Sequence, residues 1–177
     1  MTEYKIIISG FGGQGVVLAG SLLANAALLE NKKVAGMISY GAEVRGGTAN
    51  STTIISDEDI TSPVVDKPNI VIALNQPSLD KYKDNVEKNG FLVINTSLAD
   101  EIESKDVNVV RIDATNIANE LGNIRVANIV AVGALIKKSN ILKLENAKKA
   151  LPLVLKGKKE LVEINEKALM KGVELAK

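Results

Sequence analysis

The sequence predicts a single α/β domain, in which a mostly parallel or mixed sheet lies between two layers of helices. Short β-branched runs alternate with longer apolar or amphipathic segments, and the C-terminal part is expected to be helical. A glycine-rich stretch joins the first run, Tyr4 to Ile8, to the first long segment, Gln14 to Glu30. The 177 residues suffice for one core and not comfortably for two, so residues 1–177 are expected to form one domain.

Six strands are expected from their apolar, β-branched composition. They are Tyr4–Ile8, Val34–Ser39, Thr48–Ser56, Asn69–Leu74, Phe91–Asn95 and Val107–Ile112. The third strand carries many Thr, Ser and Asn residues, which predicts that one of its faces meets solvent, a ligand or a partner. From Arg125 onward only helices are expected, and Pro152 is predicted to interrupt one of them.

Composition excludes several classes of function. A net charge of +1 argues against nucleic-acid binding. The chain has no cysteine, so it has no thiolate for an iron–sulfur cluster, and no histidine, the commonest zinc ligand and general base. Neither a signal peptide nor a membrane-spanning run is recognisable, so a cytoplasmic protein without a metal is expected.

The glycine-rich stretch follows a strand and opens a helix. Gly10, Gly12 and Gly15 have the spacing G-x-G-x-x-G, and the N–H groups at the start of such a helix favour an anion. The usual companions are missing, because Ser39-Tyr40 stands where a dinucleotide site has an acidic residue, and Val16-Val17 where a P-loop has Lys-Ser or Lys-Thr. Two interpretations stay open: a tight strand–helix contact, or binding of a phosphate group.

A second candidate lies in the loop after the second predicted strand. Glu43 and Arg45 are two residues apart, so they would point the same way on an extended segment. Arg45 could face an anionic ligand or a partner, while Gly46 and Gly47 permit close backbone approach. The alternative is a surface pair of little energetic value.

No nucleophile is paired with a base, so no catalytic residue is predicted. Asn75, Gln76, Asn95 and Thr96 stand at strand ends, where they could bind a substrate or serve as turn and capping residues. If the sheet is parallel, the loops after the first, second and fourth strands converge at its carboxyl edge.

Several motifs together resemble the gamma subunit of 2-oxoacid:ferredoxin oxidoreductases. They are Gly10–Val16, Ser39–Gly47, Ser62-Pro63, Asn75–Tyr82, Asn95–Leu98 and Glu120–Asn123, and the resemblance extends to about Ala134. The runs Gly46–Asn50 and Asn75–Leu79 are more similar to the 2-oxoglutarate branch than to the pyruvate branch.

The resemblance implies a role in the CoA-dependent oxidative decarboxylation of a 2-oxoacid, which yields an acyl-CoA, carbon dioxide and reduced ferredoxin. Thiamine diphosphate and iron–sulfur clusters would lie on alpha, beta and ferredoxin-like delta subunits, and this chain would be inactive alone. It would help to shape the coenzyme A cavity. The family positions carried over are Gly12, Gly13, Gln14, Gly15, Glu43, Arg45, Gly46 and Gly47.

Two classes of function are compatible with the sequence. The first is an accessory subunit, for which pyruvate, ketoisovalerate and indolepyruvate complexes compete with 2-oxoglutarate. The second is an independent nucleotide- or CoA-binding protein, stable as a monomer or homodimer.

Overall fold

The computed structural model describes residues 3–40 and 48–177, which form a mixed α/β fold. The strands are β1 (Glu3–Phe11), β2 (Lys33–Tyr40), β3 (Thr48–Ser56), β4 (Ile70–Ala73), β5 (Phe91–Asn95) and β6 (Asn108–Ile112). The helices are α1 (Val16–Leu28), α2 (Gln76–Tyr82), α3 (Ala114–Glu120), α4 (Ala127–Ser139), α5 (Leu144–Val154) and α6 (Lys159–Leu175), with a 3₁₀ turn at Ile124–Val126. The predicted α/β fold class and helical C-terminal part are confirmed.

The six strands form one mixed sheet in the order β2-β3-β1-β4-β5-β6. β1, β4, β5 and β6 run parallel, whereas β3 is antiparallel to both β1 and β2. β2 therefore points the same way as β1 but lies two strands away from it. The carboxyl ends of β1 and β4 are neighbours, as predicted.

The main core lies on one face of the sheet. Alternate strand residues such as Ile6, Ile8 and Ile72 pack there against α1, α3 and α4, and α5 and α6 complete the same cluster. The opposite face has a smaller core around Ile7 and Val71, covered by α2 and flanking loops. The helical layers are thus unequal, because five of the described helices contribute to the main core and α2 contributes to the smaller one.

The polar residues of β3 differ between its two faces: Thr48 and Thr52 on one face are half-buried, so an open face there stays a prediction, whereas the other face has a packing explanation. β3 is an interior strand, and Ser51 and Thr53 are buried beneath α1. A Cβ on Gly20 of α1 would lie 2.3 Å from the Ser51 Oγ. Small hydroxyl residues on the strand and a glycine on the helix let the two backbones approach closely.

Pro152 does not interrupt α5, contrary to the prediction. It lies near the end of Leu144–Val154, and the buried side chains of Ala147, Ala150 and Leu151 hold the helix on the core. A proline this close to the helix end removes one hydrogen bond while leaving the packing intact.

Beside the first residue of β2, Lys32 donates a hydrogen bond of 2.6 Å to the Asp57 carboxylate. That bond raises the pKa of the Lys32 ammonium group above its ordinary value. The contact links the start of β2 to the end of β3, on the side of the sheet where β1 begins.

Asn165 on α6 offers a test of the core. Its side chain is 3% exposed, and its Nδ2 donates to the Leu161 carbonyl at 2.8 Å, but its Oδ1 has no hydrogen-bond partner among the described residues. We expect Asn165→Leu to raise the free energy of unfolding by about 1 kcal/mol, because a buried unpaired acceptor is removed. Asn165→Asp, nearly the same shape, should lower it by more than about 2 kcal/mol. Denaturant titration of both variants measures this; a destabilised Leu variant would contradict the expectation.

Candidate functional site

The glycine-rich turn connects the end of β1 to the start of α1 at the carboxyl edge of the sheet. Gly13 and Gly15 have φ angles of +93° and +73°, a region that side-chain-bearing residues rarely adopt. Gly15 caps α1 in a left-handed conformation without a side-chain hydrogen bond. Gly12 has open space, because a Cβ there would meet no atom within 4 Å. Backbone conformation favours glycine at positions 13 and 15, whereas position 12 presents bare backbone to its surroundings.

The side chain of Gln14 connects this turn to the end of β4 by hydrogen bonds. Its Oε1 accepts hydrogen bonds from the Phe11 N–H at 2.6 Å and the Asn75 Nδ2 at 2.9 Å. Its Nε2 donates to the Leu74 carbonyl at 3.4 Å. A Cβ on Gly10 would lie 2.7 Å from the same Oε1, so Gly10 makes room for the amide. Gln14 therefore ties the end of β1 to the end of β4.

Asn128 binds the turn from the α4 side, and no motif in the sequence points to it. This buried residue in the first turn of α4 donates from Nδ2 to the Gly15 carbonyl at 2.7 Å. Its Oδ1 accepts from the Ile129 N–H at 2.9 Å. The one signal available was an amide within the otherwise apolar run Val126 to Ile136.

Two further amides order the neighbouring strand ends. Asn75 is the N-cap of α2, and its Oδ1 accepts from the Ser78 N–H at 3.0 Å. Asn95 donates to the Leu74 carbonyl at 3.0 Å and to the Thr115 Oγ1 at 2.9 Å. Of the two roles left open for Asn75 and Asn95, the described contacts are those of capping and strand-end residues.

A cavity of about 140 Å³ lies between the turn and the ends of β4 and β5. Its polar lining comes from Gln14, Asn95, Thr115 and Asn128, and Arg125 contributes a cation. Leu98 and Ile124 add apolar lining although they are 43% and 56% exposed. The site thus combines bare glycine backbone, satisfied amides, one guanidinium group and exposed apolar side chains, and can contact an anionic ligand or another chain.

Residues 5–175 match the sequence pattern of the family described as pyruvate ferredoxin/flavodoxin oxidoreductase. The chain belongs to this family. It is 43% identical to the 2-oxoglutarate synthase subunit KorC of Methanocaldococcus jannaschii, over 98% of this chain and 94% of that protein. It is 35% identical to the ketoisovalerate oxidoreductase subunit VorA of Methanothermobacter marburgensis, over 99% of this chain but 37% of VorA.

Solved structures agree with this assignment. The gamma subunit of a keto/oxoacid ferredoxin oxidoreductase from Geobacter sulfurreducens superposes with a TM-score of 0.82 and 34% identity, over 97% of this chain and 96% of that one. The predicted resemblance to the gamma subunits of 2-oxoacid:ferredoxin oxidoreductases is confirmed.

The family positions singled out in the sequence divide into two groups. Gly12, Gly13, Gln14 and Gly15 lie together at the carboxyl edge, beside the cavity. Glu43, Arg45, Gly46 and Gly47 lie outside the described residues, so their place beside the turn stays a prediction. Within residues 3–40 and 48–177 no group of three or more acidic side chains could hold a metal ion. None of the helices described is long and apolar enough to cross a membrane.

Proposed function

We propose that this chain is the gamma subunit of a 2-oxoglutarate:ferredoxin oxidoreductase. Such a complex oxidises 2-oxoglutarate in the presence of coenzyme A to succinyl-CoA and carbon dioxide, and the electrons reduce ferredoxin. The observation that carries the proposal is the 43% identity to a 2-oxoglutarate synthase subunit over nearly the whole length of both chains. VorA, in contrast, is a much longer chain of which this one matches 37%.

The residues present favour an accessory role within the complex. Without cysteine, this chain offers no thiolate ligand for an iron–sulfur cluster, so the clusters would lie on other subunits. Thiamine diphosphate, bound to a partner, would stabilise the carbanion left by decarboxylation. We assign alpha, beta and ferredoxin-like delta subunits as partners, and expect the isolated chain to be inactive.

The glycine-rich turn is proposed to face coenzyme A. The first N–H groups of α1 have no partner within the helix, so they favour an anion near Gly13 and Gly15. Arg45 and Arg125 are the cations proposed to complement the phosphates. The cavity of about 140 Å³ is too small for the whole cosubstrate, which would therefore lie across the turn and insert at most one small part.

A ketoisovalerate complex is the second candidate, favoured by the 35% identity to VorA over 99% of this chain. The experiment that separates the candidates is purification of the tagged chain from its native cell, followed by ferredoxin reduction with each 2-oxoacid and coenzyme A. Co-purified subunits with a preference for 2-oxoglutarate support the proposal. Preference for another 2-oxoacid reassigns the complex, and a chain that purifies alone without activity supports an independent CoA-binding protein.

Replacement of Arg45 tests the contact with coenzyme A. We expect Arg45→Ala to raise the KM for coenzyme A about tenfold or more in the assembled complex, since a hydrogen bond to a charged group contributes about 1.5–3 kcal/mol. The kcat should change little, and Arg45→Lys should recover part of the affinity because it keeps the charge. Arg125→Ala shows whether the phosphates lie on the cavity side instead. An unchanged KM in both alanine variants would remove the proposed contact.

A further inference from the structure

The two edge strands of the sheet, β2 and β6, differ in whether another segment of the chain pairs with their outer side. On β6, the backbone of Arg111 exchanges hydrogen bonds of 3.1 Å in both directions with Lys177. The Arg111 side chain also donates to the Ile102 carbonyl at 2.5 Å and pairs with Glu101 at 3.3 Å. This edge is therefore closed over part of its length by the chain itself.

The β2 edge has no such cover in the described part of the chain. Its only hydrogen-bonded neighbour there is β3. Gly36 and Ser39 are exposed, and Met37 and Ile38 are 41% and 48% exposed although they project to opposite faces of the sheet. β2 contains no proline, and its one charged residue is Lys33, at its first position. An apolar edge strand without these protections is a template for pairing with another strand.

We propose that β2 pairs antiparallel with β2 of a second copy of this chain, around a two-fold axis at Met37. The proposal goes beyond the assigned reaction and does not depend on it. The resulting sheet would be continuous across the two copies. With Met37 opposite its symmetry mate, the main helical layers of the two copies lie on the same side of the continuous sheet, because cross-strand partners point to the same face.

The side chains of β2 complement one another in this register. Ile38 stands opposite Gly36 of the second copy, so the branched side chain covers a position that has none. Ser39 stands opposite Ala35. A shift by one residue would place the main helical layers of the two copies on opposite sides of the sheet and, depending on its direction, would set Ile38 against Ala35 or Met37.

Charge also favours a second copy as the occupant. The stretch from Val34 to Ser39 carries no charge, so the axis is free of like-charge repulsion. The two copies of Lys33 lie at opposite ends of the paired strands, and each is paired with Asp59 of its own chain at 3.3 Å. The eight residues of β2 are expected to cover less than the roughly 1,200–2,000 Å² of a standard interface, so the dimer should dissociate on dilution.

The absence of cysteine from this chain permits a direct test. In the proposed register the two Met37 Cα atoms lie about 4.5–5.5 Å apart, a separation that a disulfide spans. The full-length Met37→Cys variant should therefore form a covalent dimer on mild oxidation. Met170→Cys is the matched control, since Met170 is 38% exposed but lies on α6. Equal crosslinking of the two variants would overturn the proposal.

A second variant measures the non-covalent dimer. Ile38→Lys should raise the dimer dissociation constant about tenfold in sedimentation experiments. Each chain gains one positive charge, and the dimer brings the two like charges close together. Circular dichroism checks that the variant is folded, as expected for an exposed position. A wild-type chain that stays monomeric at high concentration overturns the proposal. So does crosslinking of Met37→Cys, in the purified complex, to a different subunit rather than to itself.

Discussion

Gly172→Ala is expected to destabilise this protein by about 3 kcal/mol or more, a large part of the total stability of a small domain. A Cβ on Gly172 of α6 would lie 2.0 Å from the Val130 carbonyl oxygen of α4. A Cβ on Gly133 of α4 would lie 2.2 Å from the Leu169 carbonyl oxygen of α6. Both obstacles are backbone atoms, so no change of rotamer relieves them, and the two helices must move apart. Gly133→Ala should have a similar effect, and denaturant unfolding of both variants measures it.

The intrinsic propensity of alanine works in the opposite direction. Glycine to alanine within a helix would otherwise stabilise by about 1 kcal/mol, so a net loss isolates the cost of overpacking. Gly12→Ala is a control in the same chain, because a Cβ there meets nothing within 4 Å, and we expect its stability to change by less than about 1 kcal/mol. A Gly172→Ala variant as stable as the wild type would contradict the close backbone contact between α4 and α6.

Gly15→Ala is expected to disrupt the glycine-rich turn, for two reasons that can be separated. The φ angle of +73° costs a residue with a Cβ about 1–2 kcal/mol. The same Cβ would lie 2.4 Å from the Asn128 Nδ2, so Asn128 would have to leave the Gly15 carbonyl. A buried amide without its partner costs about 1–3 kcal/mol more. We expect a total loss of about 2–5 kcal/mol and a higher KM for coenzyme A in the complex.

Gly13→Ala separates these two contributions. Gly13 has a φ angle of +93°, but a Cβ there would meet no atom within 4 Å. This variant should therefore show the backbone strain without the collision. Adding Asn128→Ala to Gly15→Ala should recover part of the loss, as a double-mutant cycle would measure. If Gly13→Ala and Gly15→Ala were equally destabilised, Asn128 would not be the cause.

The strand pattern was largely predictable, but the pairing of the strands was less so. Each strand expected from its apolar run is present, because local composition determines which segments can be half-buried and extended. The position of β3 between β1 and β2 depends on contacts between segments that are distant in the sequence. One signal was available: seven residues separate β2 from β3, too few for the crossover of a dozen or more residues that a parallel pair needs.

The candidate site was predicted in part. The glycine spacing located the turn, because the positive φ angles of positions 13 and 15 favour glycine. The residue that clamps the turn, Asn128, lies 113 residues further along the chain, so no local pattern connects the two. The role of Gln14 was likewise invisible, because its partner Asn75 comes from the end of another strand.

The sequence alone determined the α/β class, the position of the glycine-rich turn, the lack of cysteine and histidine, and the family resemblance. These depend on residue type and on spacing within short segments. Only the tertiary structure decided the strand order, the burial of polar β3 beneath Gly20, the clamp of Asn128 on Gly15 and the uncovered edge of β2. Each of those depends on which distant segments meet in space, and segments of similar composition can pair in several ways until the whole core is assembled.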